Sequence, residues 1–359
     1  MKKMKKKYAL LFSAVGLILS CSHSIQKSET SSPRLQIIAF GSCASQEKDQ
    51  PIWQNVINKS PDLFIFTGDN IYADTEDTIV MKNKYAKLAA KPGYQKLLAT
   101  CKLLSVWDDH DYGVNDGGTS YPKKKESQQV FLDFFNVDKN SPRRKRPGIY
   151  DAEIFGTAGK KVQVILLDTR YFKDAQIANK ESDAIKKQKN LVGWYLPNDD
   201  ATTTILGNEQ WIWLKNQLKE KADVRIIVSS IQAVPYEKGM ESWGNFPHER
   251  KRLFNLIDET NARGVIFISG DVHFSEISKT NEGPYTLYDF TSSGLTNSHK
   301  GWSQAVNNFR IGTAYAEPNF GIINIDWQQK DPLITLQTVG LDDKVKLEHT
   351  IKLSELRKR

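Results

Sequence analysis

Leu63-Phe64-Ile65-Phe66-Thr67-Gly68-Asp69-Asn70-Ile71-Tyr72 is an apolar run that ends abruptly at a glycine and a carboxylate. Four large apolar side chains in succession, with no polar alternation, fit a strand buried on both faces. The glycine allows a sharp turn, and the residues after it carry polar, reactive groups.

The same pattern recurs along the chain. Strand-length apolar runs span Leu35 to Phe40, Leu103 to Trp107, Val162 to Leu167, Val224 to Val228 and Val265 to Ile268. They are followed by Gly41-Ser42-Cys43, Asp108-Asp109-His110-Asp111, Asp168-Thr169-Arg170, Ser229-Ser230 and Ser269-Gly270-Asp271-Val272-His273. Helical patterns lie between several of them, one opening at Gly207 and running to about Lys221, another from His248 to Thr260 with Leu253, Leu256 and Ile257 on one face. Strands separated by helices predict an α/β fold with the sheet covered on both sides. In such sheets ligands bind beyond the carboxyl ends of the strands. Six reactive strand ends therefore predict one site built from six loops.

Beyond His273 the segments Tyr285 to Phe290, Phe320 to Trp327, Leu333 to Thr338 and Val345 to Ile351 alternate like antiparallel strands. They are expected to complete a second sheet, giving a two-sheet sandwich with outer helices. Gly113 to Arg146 and Gln176 to Thr204 read as long polar loops, of the kind that form lids or substrate walls.

The net charge of +8 invites a nucleic-acid reading, but its location argues otherwise. Lys2, Lys3, Lys5, Lys6 and Lys7 supply five charges; without them 45 basic residues face 42 acidic ones, a balance of +3. No nucleic-acid-binding role is expected, and Lys123 to Lys125 and Arg143 to Arg146 read as solvated loops. The lysines precede an apolar run, Tyr8 to Leu19, too short to span a bilayer and suited to a signal peptide. It ends in Ile18-Leu19-Ser20-Cys21, which looks like a bacterial lipobox with Cys21 as the lipidation site. The expected organisation is a lipoprotein signal peptide over 1–21, a polar tether over 22–33 and one domain over 34–359. Export to the cell envelope, with the outer membrane or cell surface as the place of anchoring, is the expected location. Cys43 and Cys101 would then face an oxidising compartment, where a disulfide is open to them. Cys101 reads as a core residue, whereas Cys43 lies in a polar turn.

Asp69, Asp108, Asp109, Asp111, Asp168 and Asp271, with His110 and His273, would repel in one pocket unless protonated or bound to cations. Oxygen ligands suit Ca²⁺, Mg²⁺ or Mn²⁺; a thiolate or imidazole suits a transition metal.

These motifs, in this order, resemble the PhoD-like alkaline phosphatases of the calcineurin-like metallophosphatase superfamily. The resemblance runs from about Leu35 to Asn297. It includes Gly68-Asp69-Asn70-Ile71-Tyr72, Trp107 to Asp111 with Asn115, and Glu241 to Pro247 with Arg250. It implies a metallophosphatase-type α-β-β-α sandwich and hydrolysis of phosphate monoesters or diesters by metal-activated water. It also implies Fe³⁺ and Ca²⁺ as cofactors, with Mg²⁺, Mn²⁺ or Zn²⁺ as alternatives. The implied metal ligands are Cys43, Asp69, Tyr72, Asp109 with Asp108 as its alternative, Asp271 and His273. His110 is expected to protonate the leaving group or to position a ligand. Arg170 is expected to bind phosphate, or else to form a structural salt bridge with Asp168. Asn70 is expected near the substrate, and Trp243 either walls the pocket or packs in the core. A monomer acting on a phosphate ester is expected. The competing readings are a phospholipase D-like phosphodiesterase of the same fold and a non-catalytic metal-binding surface lipoprotein.

Overall fold

β-Branched and aromatic runs become strands here because their side chains fill a pleated surface buried on both faces. A computed structural model describes residues 33–358. Its strands, in chain order, are β1 (Ile37–Gly41), β2 (Leu63–Thr67), β3 (Lys102–Val106), β4 (Asp151–Phe155), β5 (Val162–Leu166), β6 (Ile177–Ala178), β7 (Tyr195–Leu196), β8 (Val224–Val228), β9 (Val265–Ser269), β10 (Ser275–Thr280), β11 (Leu287–Ser292), β12 (Asn319–Asp326), β13 (Leu333–Gly340) and β14 (Val345–Lys352).

They form two six-stranded sheets, ordered β14-β13-β12-β1-β2-β3 and β10-β11-β9-β8-β5-β4, and a small β6-β7 hairpin. Within the first sheet β1, β2 and β3 run parallel, with Ile38 beside Leu63 and Leu63 beside Lys102. Within the second, β5, β8, β9 and β11 run parallel. The expected late sheet needs correction. Only β10 and β11 join the second sheet, whereas β12, β13 and β14 extend the first. They do so because β1 offers a free edge: β12 pairs with it antiparallel, Ile322 against Ala39.

The sheets pack face to face. Phe40 of β1 meets Phe290 of β11 edge-on, with ring centroids 4.9 Å apart at 87°. Alternate residues of β9 face opposite ways: Ile266 and Ile268 join the inter-sheet core, and Val265 and Phe267 join a second cluster under the helices. Helix Gly207–Leu218 contributes Trp211, Leu214 and Leu218 to that cluster, and helix Pro247–Glu259 contributes Leu253, Leu256 and Ile257. The latter starts one residue earlier than expected, at a proline, whose missing N–H is no loss at the first helical position. On the outer face of the first sheet, Trp53 of helix Ile52–Asn58 packs on Phe64 and Phe66 at 5.5 and 5.7 Å. Each such fully buried aromatic contributes about 1.5–3 kcal/mol.

The two expected loops are more ordered than their sequences imply. The first holds helix Lys124–Phe134, which buries Val130 and Phe131, the latter 5.4 Å from Trp107. The second holds β6, β7 and helix Asp183–Gln188. Among the described residues no helix is long and apolar enough to cross a membrane.

Candidate metal centre

All seven parallel strands end on one side, and a parallel bridge between Ser42 and Ser293 brings the ends of the two sheets together there. Each loop must then turn sharply. Cys43 (φ 62°), Asp69 (φ 49°), Asp271 (φ 68°) and His273 (φ 57°) all adopt the left-handed conformation. Non-glycine residues rarely do so, and such backbone costs on the order of 1–3 kcal/mol each. Hydrogen bonds hold the turns: Ala44 N donates to Asp69 O at 3.0 Å, and His273 N donates to Ser293 Oγ at 2.9 Å. Gly68 (φ 105°) has no substitute, since a Cβ there would lie 2.6 Å from the Cβ of Asp108.

The side chains converge. Cys43 Sγ lies 3.4 Å from Asp69 Oδ2 and 3.1 Å from Ser293 Oγ, and Tyr72 Oη lies 3.2 Å from His273 Nε2. Ligand atoms of Cys43, Asp69 and His273 fall within 4.8 Å of one another, as do those of Asp69, Asp109 and His110, of Asp108, Asp109 and Asp271, and of Asp109, Asp116 and Glu241. Asp69 thus belongs to two neighbouring groups and Asp109 to three.

The donor set fits cations for a reason independent of likeness. Asp69 Oδ1, Asp108 Oδ2 and Asp109 Oδ1 are buried and accept no hydrogen bond. Unpartnered buried carboxylate oxygens are costly unless a positive charge faces them. The protonation equilibria agree. Burial pushes Cys43 up to about 12, and burial with the Cys43 charge lifts Asp69 well above the carboxylate range. Burial and neighbouring carboxylates raise Asp271 likewise, and burial raises Tyr72. Burial lifts Asp108 to about 6 although Arg170 pulls the other way. Burial also lowers His273 to about 4, which keeps its imidazole neutral and able to ligate. A cation reverses the upward shifts of the acids, holding them ionised, and further favours the neutral His273.

His110 Nδ1 sits 2.7 Å from Asp74 Oδ1, and its ring packs against Tyr72 at 4.3 Å. Burial opposes its charged form, but Asp69, Asp74 and Asp109 outweigh burial and raise it to about 10. A cleft of about 270 Å³ opens over this cluster, lined among others by Asp69, Asp109, His110, Asp271 and His273.

Arg170, Asn70 and Trp243, offered as substrate contacts, do not line the cleft, and Trp243 takes the core alternative left open for it. Arg170 is 0% exposed and lies beneath the cleft, its guanidinium 2.5 Å from Asp108, 2.7 Å from Glu241 and 3.8 Å from Asp109. Its structural partners are these three, while Asp168 caps the turn by accepting from the backbone N–H of Arg170 and Tyr171. Asn70 is buried, donating to Val106 O at 2.9 Å and bonding the Asp111 carboxylate. Trp243 packs in the core and donates to Ser229 Oγ at 3.0 Å. Cys43 and Cys101 are both free thiols. Cys21 lies outside the described residues.

The sequence reading missed Asp74, Asp116, Glu241, Trp194, Tyr195 and Trp302. Glu241 is held well below the carboxylate range, against burial, by Arg170 and Lys173. Tyr195 Oη donates to Asp116. Asp116 follows Asn115, itself part of the Trp107–Asp111 motif, and Glu241 opens the motif ending at Pro247. Glu241 was visible as a motif member without a role, whereas Asp116 belonged to no motif.

Residues 38–325 match the family model described as PhoD-like phosphatase. Alkaline phosphatase D of Bacillus subtilis (strain 168) is 25% identical over 278 residues, 66% of this chain and 46% of the relative, so the chain spans under half of that protein's length. A solved structure of PhoD superposes with a TM-score of 0.64 at 18% identity, covering 92% of this chain and 73% of the other. A dimetal phosphatase from Danio rerio gives 0.55 at 14% identity, covering 89% and 99%.

Proposed function

The chain belongs to the PhoD-like phosphatase family, and on that premise we propose that it is a metal-dependent phosphoesterase acting on phosphate monoesters or diesters. One observation carries this reading. Asp69, Asp109, Asp271 and His273, from loops on both sheets, line one cleft, Cys43 lies buried beside Asp69 and His273, and Asp69 and Asp109 each carry an orphaned carboxylate oxygen.

Cys43, Asp69, Tyr72 and His273 would hold one ion, and Asp69, Asp108, Asp109 and Asp271 another. Fe³⁺ suits the thiolate and phenolate of the first, Ca²⁺ the oxygens of the second. Bound cations would neutralise the phosphoryl oxygens and acidify a water for attack on phosphorus. The chain supplies the rest. Asp74 orients His110 through Nδ1, which leaves Nε2 as the atom able to give a proton to the departing alcohol. Arg170 keeps Asp108 and Glu241 charged and fixed under the site, which is a positioning role.

Export and lipid anchoring at Cys21 are part of the same proposal. They are supported by the Lys2 to Lys7 cluster, the Tyr8 to Leu19 run and Ile18-Leu19-Ser20-Cys21. Cys21→Ala would then release the protein from the membrane fraction.

The test is turnover of p-nitrophenyl phosphate and bis-p-nitrophenyl phosphate by protein purified without chelator, with metal content measured on the same sample. Turnover abolished in Asp69→Ala is the expected result. Faster cleavage of the diester would favour the phosphodiesterase form of the reading. Bound metal with no turnover of either ester would favour a binding protein.

A further inference from the structure

The rim of the cleft differs in kind from its floor. The floor is carboxylate and imidazole, whereas the rim includes Trp194, Tyr195, Met240 and Trp302. Trp302 stacks with His273 at 5.1 Å and with His299 at 4.3 Å, which fixes its plane. Trp194 meets Trp302 edge-on at 5.6 Å and 83°, and keeps 47% of its surface open. An indole exposed to this extent gains substantially when a flat ligand covers it.

The segment carrying Trp194 is firmly built. Val192 N and Gly193 N both donate to Lys238 O at 3.1 Å, Tyr195 N donates to Gly239 O at 2.8 Å, and Asn179 N donates to Trp194 O at 2.6 Å. Only glycine fits at 193, where a Cβ would lie 2.0 Å from Gly239 O. Lys238 is itself buried and paired with Glu276 at 2.5 Å. A wall stitched in this way holds Trp194 ready before any ligand arrives. The charge pattern adds a second constraint, since among the described residues no lysine or arginine lines the cleft. Among the described residues, the part of the lining around Trp194 offers no fixed cation for a further phosphate, the His110 imidazolium lying at the metal centre itself.

We propose that Trp194, propped by Trp302, is a stacking platform for the leaving group, so that the substrate is an ester with a single phosphoryl group and a planar, uncharged ring on its alcohol, as in a nucleoside. This deepens the phosphoesterase reading and rests on it. Trp194 is a specificity residue here, since it touches the alcohol and not the reacting atoms.

The experiment uses the full chain loaded with metal, as wild type, Trp194→Ala and Trp194→Phe. Hydrolysis of adenosine 5′-monophosphate is compared with that of glycerol 2-phosphate, which has no ring. Loss of one stacking contact predicts that Trp194→Ala lowers kcat/KM for the nucleotide about tenfold to a hundredfold. Glycerol 2-phosphate should change less than about twofold, and Trp194→Phe should recover most of the loss. Equal losses on both esters would overturn the platform. A separate readout is quenching of tryptophan fluorescence by adenosine in the millimolar range. It should be present in wild type and absent in Trp194→Ala. Should no ester be hydrolysed at all, the phosphoesterase reading falls and quenching alone decides. Adenosine that fails to quench wild type, or that quenches Trp194→Ala equally, would sink the proposal.

Discussion

Replacing Arg170 by methionine separates two roles that its sequence position leaves open. Methionine keeps much of the volume and removes the charge. Arg170 is wholly buried and is the shared cation of Asp108, Glu241 and Asp109. Without it, Glu241 retains Lys173 at 2.8 Å, but Asp108 keeps only neutral partners such as Ser230 Oγ at 2.6 Å. Breaking a buried pair from one side costs about 3–5 kcal/mol, because it strands a charge. With an unfolding entropy of roughly 2.1 cal/mol/K per residue, a domain of this size loses about 1.5 °C of Tm per kcal/mol, so a drop of about 4–7 °C is expected. Calorimetry on Arg170→Met, Glu241→Gln and the double variant measures it. The double variant should lose less than the sum of the two singles, by about 1 kcal/mol or more, because part of the stranded charge disappears with Glu241. Metal affinity should fall in Arg170→Met as Asp108 moves further toward its protonated form. A variant that melts like wild type, binds metal normally and shows only a raised KM would refute this reasoning and restore Arg170 as a phosphate clamp.

Gly68→Ala should lower both Tm and metal content, since its Cβ meets Asp108 and its φ is positive; a melt and elemental analysis on one sample check it. His110→Asn should leave the melt nearly unchanged while cutting kcat by about 10²–10⁴ at the optimum pH, if His110 is the acid. For chelated protein the sign of the pH effect follows from raised carboxyl groups. Asp108 stands at about 6, and Asp111 and Asp116 at about 7, all through burial first. The native state therefore holds more protons than the unfolded chain between about pH 4 and 7, and stability must fall as pH rises through that window. Added calcium or iron should flatten the slope; a stripped protein whose Tm rises from pH 5 to 7 would contradict it. Gly193→Ala should move the Trp194 wall, reducing turnover of ring-bearing esters and lowering Tm, since its Cβ meets the backbone of Gly239 and Met240.

The loops that carry the candidate metal ligands were legible as strand ends because strand period and turn chemistry act locally. Thr67 ends a buried strand, Gly68 admits the turn, and Asp69 must then face the open end. Asn70 was misread for a reason that one-dimensional adjacency hides: the left-handed turn at Asp69 reverses direction, so the next side chain enters the core and bonds Asp111. Arg170 follows a strand end as the proposed ligands do, but its long side chain reaches beneath the floor. Asp116 and Glu241 were beyond reach because their proximity to Asp109 depends on how two separate loops fold over each other. Strand β10 escaped notice since its buried positions Ser275, Glu276 and Ser278 are polar, satisfied by partners such as Lys238 and Arg310. Late strands β12 to β14 were recognised as antiparallel, but nothing local says which sheet edge they will meet.

The left-handed ligands come from both layers of the sandwich: Cys43 and Asp69 from the first sheet, Asp271 and His273 from the second. A cation held between them is also a clasp, closing the open end of two stacked sheets much as a cross-link would, but reversibly. Capture of the ion selects only chains in which residues some 230 apart in sequence have already found each other. Loading would thus act as an inspection step on a finished fold, and losing the ion would loosen the molecule first at its working end.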